Sequence, residues 1–527
     1  MNIIKSIKGR LDGILQNRRS RYWEYAAYFE DGILWEDTIL FESFSGSNFQ
    51  GNPYYIYKEA LKSEQCRDMK LIIAHRNPAE LTAWLTERNL IDSRVKIIQT
   101  GSDAYRNTLA HAKYLVNNVS FNMDYIKKPG QVYLNTWHGT PLKSLGRKIG
   151  YNPFECLNGQ RNFLLCDYLI APNGFTKEVF LQDYMVDGWM PGKLSMQGYP
   201  RNSIFFDEKA REQVRETYEM QDVKTVFFMP TWRGVSGGIE DVDQVSQIEQ
   251  LAKDLGEGYR VYVKFHPAMK KPEGDFRYCH NMPKDIEVYE FLNAMDILIT
   301  DYSSVFFDFA SAGKQIVLYQ YDREEYYSTR GVYPQVAGDL PFPVAYTYKE
   351  LLHAVKSTEQ PDRTAFIEQF CTYDALSSSK EALQLLLSGE KADETTLMDL
   401  YIIDFSVTDD WLLSAQEKLR GTNFRFVFLL KGGDLYKGVR CWDQIPYTAL
   451  YVYDRLKVRE KVAYRMWQMA YTCLKSKKAY EKLCAYSLRE QHRLWGDAKI
   501  GNIYAKSNNL PLAVKPFAKP WPSELEK

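Results

Sequence analysis

With 527 residues the chain has room for roughly two to four domains and large buried cores, which excludes a single small binding module. Lysine plus arginine balances aspartate plus glutamate at 67 each, so no net charge draws the whole protein to nucleic acid or any other polyanion, and electrostatic targeting has to be local. A hydrophobic share of 45% and an aromatic share of 14%, with 38 tyrosines, exclude a disordered chain and predict many half-polar surfaces or clefts.

Residues 1–22 carry Ile3, Ile4, Ile7, Leu11, Ile14 and Leu15 at helical spacing, with Lys5, Lys8, Arg10, Arg18, Arg19 and Arg21 set against the lone acid Asp12. Such a helix fits either the surface of an anionic bilayer or its own domain with a solvated basic face. No signal-peptide core and no spanning run of about 18 apolar residues is present, which predicts a cytoplasmic protein, peripheral at the membrane through residues 1–22. The eight cysteines are scattered with no C-x-x-C, as expected of free thiols in a reducing compartment.

From Asp31 short apolar runs alternate with helical stretches: Thr38–Glu42, Leu71–Ala74, Val95–Ile98, Tyr114–Asn117, Val132–Asn135, Asp167–Ala171 and Leu194–Gln197. The pattern predicts βαβ units and a parallel sheet covered by helices on both faces. Residues 43–53 form a Gly-containing loop, a weak signal shared by ligand loops and plain turns. The run at 132–135 leads into Thr136-Trp137-His138-Gly139-Thr140-Pro141, which places a titratable group at the carboxyl end of a strand, where open α/β sheets bind ligands. Lone histidines are commonly structural; the flanking turn residues favour His138 as a base.

The charged segment 207–224 reads as a bridge, after which the alternation restarts. Thr225–Met229 runs into Arg233, Val261–Phe265 into His266, and Asp296–Thr300 into Asp301-Tyr302-Ser303-Ser304 ahead of a short helix, so three strand tips line one sheet edge. Asp and Ser at such a turn are ordinary helix caps, yet beside an Arg and a His they also compose a diphosphate site. The polar segment 321–331 is placed to close over a nucleotide. Beyond 393 the pattern breaks, with strand-like runs at Leu400–Phe405 and Phe424–Leu430, long helical stretches over Val458–Arg493 and a Pro-rich, extended tail after Ser507.

Five segments, NTWHGTPLKSLG at 135–146, GYPRN at 198–202, PTWRG at 230–234, KFHP at 264–267 and TDYSSVFFDFA at 300–310, resemble the CDP-glycerol glycerophosphotransferases, the teichoic acid glycerol- and ribitol-phosphate polymerases and primases. The similarity spans roughly 31–390 in order and spacing. It implies a GT-B-like α/β fold of two Rossmann-type domains facing across a cleft, here 31–206 on the acceptor side and 207–392 on the CDP-alditol side. Residues 1–30 then form the basic amphipathic segment and 393–527 an appended α/β or helical module. The implied reaction moves glycerol phosphate or ribitol phosphate from the CDP-alditol to a hydroxyl of a prenyl-linked or polyol-phosphate acceptor and releases CMP. By position His138 matches the family's general base and His266 its pyrophosphate-stabilising histidine, with Gly139, Thr140, Arg201, Arg233, Thr300, Asp301, Ser303 and Ser304 binding substrate. No apolar-flanked D-x-D calls for a divalent metal, since Asp241 and Asp243 lie in a polar segment, and no other cofactor is indicated. A UDP-sugar glycosyltransferase or epimerase of the same form, and a non-catalytic nucleotide-binding scaffold acting through 393–527, stand as alternatives.

Overall fold

The computed structural model describes residues 22–149, 153–231, 243–265, 276–338, 340–389, 395–403, 407–430, 436, 439–451, 458–506, 510–511 and 513–525. The 1–22 amphipathic segment, up to Arg21, lies outside the described residues, as do Arg233 and His266. Three sheets, all of whose paired strands are parallel, organise the chain.

The first sheet comprises β1 (Trp35–Glu42), β2 (Lys70–His75), β3 (Val95–Gln99), β4 (Ala112–Asn117), β5 (Val132–Asn135), β6 (Tyr168–Ala171) and β7 (Lys193–Met196) in the order β3-β2-β1-β4-β5-β6-β7. Each of the seven apolar runs read from the sequence lies within or overlaps one of these strands, because central parallel strands are buried on both faces and advertise themselves as unbroken Val/Ile/Leu runs. Helix starts follow local chemistry. Pro78 opens the helix Pro78–Glu87 while the Asn77 side chain accepts from the Glu80 N–H. The helix Gly174–Glu178 is capped by Asn173, whose side chain accepts from the Thr176 N–H.

The second sheet holds β8 (Lys224–Met229), β9 (Tyr259–Val263), β10 (His280–Asn281), β11 (Ile297–Thr300), β12 (Gln315–Tyr319) and β13 (Val344–Ala345), ordered β10-β9-β8-β11-β12-β13. The strands that lead toward His266, Arg233 and Asp301 are therefore neighbours. Segment 207–224 contains the helix Glu208–Thr217, capped by Asp207. One continuous buried core joins the two sheets, running from Ile39, Phe41 and Ile73 through Tyr199 to Phe306, Phe307 and Leu386.

The third sheet, β14 (Met398–Ile403), β15 (Phe424–Leu430), β16 (Tyr447–Tyr451), β17 (Ile500–Ala505) and β18 (Ala518–Lys519), has the order β16-β15-β14-β17-β18. It shares a buried core with the first lobe, where Met398, Phe426 and Trp495 pack with Phe163, Phe180 and Trp189. Polar contacts seal this joint: Gln160 Nε2 donates to the carbonyls of Tyr184 and Tyr447, both at 2.9 Å, and Arg161 Nε donates to the Arg493 carbonyl at 2.7 Å. Between β16 and β17 runs a hairpin of helices Val458–Leu474 and Lys477–Trp495. Among the described residues no helix is long and apolar enough to cross a membrane, and every described cysteine is free.

Gln160 is 1% exposed. Replacing it with Leu strands two buried carbonyls, so Gln160→Leu is expected to destabilise the joint by about 1–3 kcal/mol. The reading is a lower urea midpoint together with faster proteolytic release of a fragment carrying the third sheet.

Candidate active site

Both halves of the site form at or next to the point where strand order reverses, the place at which open α/β sheets leave a crevice beyond the carboxyl ends of their strands. In the first sheet the reversal falls between β1 and β4, and in the second between β8 and β11. Loops from the two reversal points meet.

Beside the first, in the loop after β5, Trp137 holds a positive φ of 52°, fixed by its N–H donating to Asn135 Oδ1 at 2.9 Å and its carbonyl accepting from Asn52 Nδ2 at 3.1 Å. Its indole lies among Phe163, Phe180 and Tyr184 and stacks on the His138 ring with centroids 4.5 Å apart. His138 Nδ1 is 2.8 Å from the Asn118 carbonyl. A carbonyl only accepts, so the proton resides on Nδ1 and Nε2 keeps its lone pair. Burial pushes the imidazole down to about 4, the Asn118 carbonyl working the other way and the Arg201 charge adding to the depression. His138 is thus a neutral imidazole of fixed tautomer. The Gly-containing loop lies alongside: Phe44 donates its N–H to Asn118 Oδ1 at 2.8 Å and sets its ring edge on His138 at 6.0 Å, and Gly51 donates to Glu287 Oε1 across the cleft at 3.2 Å.

At the second reversal, Thr300 Oγ1 donates to the Met229 carbonyl at 2.7 Å. The Asp301 carboxylate, 1% exposed, accepts from Thr231 N–H, Thr231 Oγ1 and Tyr302 N–H at 2.6–3.1 Å. It ties the tip of β8 to the tip of β11 and so shapes the turn. Ser304 occupies the N-cap position of the helix Val305–Ala310 without making a side-chain cap bond. Its hydroxyl instead faces Gly139, where an added Cβ would lie 2.6 Å from Ser304 Oγ and 3.4 Å from Arg201 Nη2. Gly139, at φ +152°, lets the two loops touch. Ser303 Oγ accepts weakly from the Val305 N–H at 3.4 Å. Thr140 is buried and accepts from Asn173 Nδ2 at 2.9 Å.

Arg201 is 3% exposed and lies inside the joint between the lobes. Its Nη1 donates to the His138 carbonyl at 3.0 Å, its Nη2 to Asp308 Oδ2 at 2.7 Å, and its guanidinium lies over Tyr289 at 4.7 Å. Tyr289 O–H and Asn202 Nδ2 complete the Asp308 carboxylate at 2.7 and 3.3 Å. The sequence shows Asp308 within a motif but no role for it, and nothing in it marks Tyr289 or Glu287. The one available signal was a lone acid inside the apolar run Phe306-Phe307-Asp308-Phe309. Segment 321–331 contains the helix Arg323–Arg330, whose Tyr326 stacks on Tyr302 at 3.8 Å; its end is pinned to the first lobe by Ser144 N–H donating to the Gly331 carbonyl at 3.3 Å. Among the described residues no three His, Cys, Asp or Glu side chains gather as metal ligands.

Two parallel-sheet lobes meeting at their strand-end loops, a neutral histidine on one and a hydroxyl-bearing turn on the other, define a GT-B-like α/β protein with its site in the cleft. The chain belongs to the CDP-glycerol:poly(glycerophosphate) glycerophosphotransferase family, whose model matches residues 27–388. It is 31% identical over 379 residues to a teichoic acid poly(glycerol phosphate) polymerase of Bacillus spizizenii, covering 67% of this chain and 92% of that protein. It is 30% identical over 365 residues to the Staphylococcus epidermidis polymerase of the same description, covering 64% of this chain but about half, 48%, of that longer protein. A solved structure of the wall teichoic acid polymerase TagF superimposes with a TM-score of 0.60 at 25% identity, covering 73% of this chain and 97% of the other.

The depressed His138 value carries a sign. Between the ordinary value near 6.5 and about 4 the unfolded chain binds a proton that the folded chain does not, so His138 makes stability fall as pH drops through that window and level off below it. NMR titration of labelled histidine should show the Nδ1–H tautomer of His138 persisting below pH 6, and Asn at position 138 should flatten the stability profile there.

Proposed function

We propose that the protein transfers glycerol phosphate from CDP-glycerol to a hydroxyl of a lipid-linked or oligomeric acceptor and releases CMP. The observation that carries this is His138: neutral, tautomerically fixed with Nε2 available, and positioned at the contact between the two lobes. An alditol hydroxyl is a weak nucleophile. As its oxygen attacks the β-phosphorus, its proton passes to His138 Nε2, a contribution worth roughly 10²–10⁴-fold in rate. The bond between the β-phosphorus and the bridging oxygen breaks, and that oxygen leaves with CMP. Family membership supports the donor class, and the solved relatives include a TagF variant soaked with CDPG. The resemblance gives His266 and Arg233 the charge on the pyrophosphate, with Ser303 and Ser304 at the phosphate from the turn facing Gly139.

Within this reading Asp301 and Thr300 shape the turn, and Arg201 positions the base. Its guanidinium holds the His138 carbonyl at one end and the second lobe's Asp308 at the other, so base and phosphate turn move as one. Phosphoryl transfer depends on such registration.

The test is CMP release from CDP-glycerol, CDP-ribitol and UDP-sugars offered with prenyl-linked and oligomeric glycerol-phosphate acceptors. Acceptor-dependent CMP release from CDP-glycerol is expected, and His138→Ala should lose at least about 100-fold in kcat; full activity in that variant sinks the base assignment, and turnover of UDP-sugars alone sinks the donor. Asp308→Asn should lower kcat about tenfold or more while leaving KM for the donor nearly unchanged, because it loosens registration without removing a donor contact.

A further inference from the structure

The hairpin Val458–Leu474 and Lys477–Trp495 lies outside the family match and carries a surface that the transfer reaction does not use. With about 3.6 residues per turn, Met466, Met469 and Cys473 fall on one helix face with Leu474 at its margin. Met466, Met469 and Cys473 turn away from Tyr464, which packs with Leu483, Trp467 and Tyr486 in the hairpin's own small core. Met466 is 61% exposed, Met469 64% and Leu474 77%, three large apolar side chains open to solvent in the half of the helix that leads to the hairpin turn. Around them Arg465, Lys475, Lys477, Lys478 and Lys482 are exposed, and over residues 463–488 Glu481 is the sole acid. In a chain with no net charge, this is a sharply local positive field.

The base of the hairpin is fixed. Arg489 pairs with Glu30, Arg493 Nη1 donates to the Met123 carbonyl at 2.7 Å, and His492 Nε2 donates to the Lys127 carbonyl at 2.7 Å. The hairpin is therefore anchored at its base to the first lobe, which bears His138. A self-complementary dimer through this face would bring lysine clusters together, which disfavours a second copy. Exposed apolar side chains flanked by cations match the acyl boundary and headgroups of an anionic bilayer.

We propose that this hairpin tip docks on an anionic lipid surface, with Met466, Met469 and Leu474 entering the interface and the surrounding lysines on the headgroups, so that the third sheet's module orients the first lobe toward the membrane. The proposal does not depend on the identity of the transferred group.

The test is co-flotation of the full chain with phosphatidylcholine vesicles containing phosphatidylglycerol, against vesicles of phosphatidylcholine alone. Binding to the anionic vesicles that weakens with salt is expected. Two variants, Met466→Ser/Met469→Ser/Leu474→Ser and Lys475→Gln/Lys477→Gln/Lys478→Gln/Lys482→Gln, should each lower the partition coefficient at least about tenfold. Unchanged circular dichroism and unchanged CMP release with a short soluble acceptor would show that both variants are folded. The proposal is overturned if the wild-type chain does not bind, if both variants bind as it does, or if binding is lost only when Lys5, Lys8, Arg10 and Arg18 are changed to Gln. It is likewise overturned if sedimentation reveals a dimer that the Met/Leu variant abolishes, which would assign the face to a second copy.

Discussion

The pairing of Arg201 with Asp308 is the contact on which the site depends. Burial works against the Arg201 charge, and the Asp308 carboxylate with Tyr289 and Tyr199 outweighs it, holding the guanidinium above its ordinary value. Forming a buried pair gains little net stability, whereas deleting one partner leaves an uncompensated charge at a cost of about 3–5 kcal/mol. The pair is therefore better understood as registration than as glue. Through it the carbonyl of His138 is tethered to the helix that follows the Ser303–Ser304 turn, 107 residues along the chain from Arg201.

A second set of buried charges repeats the device across the same cleft. Glu287 caps the helix Val288–Asn293 by accepting from the N–H groups of Tyr289 and Glu290, and it also takes the Gly51 N–H and the Tyr55 hydroxyl from the first lobe. Glu290 pairs with Lys58 at 2.7 Å and with Arg88. Carboxylates of one lobe thus accept from donors of the other on both sides of the site. The loop carrying Gly51 connects these two sets, since Asn52 receives the Arg201 N–H on one side and donates to the Trp137 carbonyl on the other.

The strands of the first sheet, and β8, β9 and β11 of the second, stand out in the sequence as apolar runs ending in turn residues, whereas the two-residue strands β10, which is exposed, and β13 carry no such run; His138 stands out as a candidate because it is a titratable group before Gly139 and Pro141. The family resemblance, through GYPRN at 198–202, assigns Arg201 to substrate. What no local pattern conveys is that its partner is Asp308, a lone acid whose neighbours are phenylalanines. The third sheet is only half legible: Leu400–Phe405 and Phe424–Leu430 are apolar runs, but β16 is not singled out and β17, with Gly501 and Asn502, carries no such run. Its glycine is required by packing, since a Cβ there would lie 2.4 Å from Asp399 Oδ1, and that carboxylate accepts the Asn502 N–H at 2.6 Å. A strand that exchanges side-chain volume for a close polar contact loses its periodic signature.

The two joints of the first lobe differ in their polar contacts. Toward the third sheet, Gln160, Arg161 and Arg425 donate to main-chain carbonyls of the opposite side over a continuous apolar core. Parting these surfaces would wet apolar area and leave acceptors that the facing side chains alone had satisfied. Toward the second sheet, the polar contacts are dominated by ionised side chains whose desolvation was itself costly. Water or a phosphate can replace a carboxylate on a guanidinium, so part of the cost of opening that joint is recovered as hydration. Both joints also cover a continuous apolar core, so the difference between them is confined to their polar contacts.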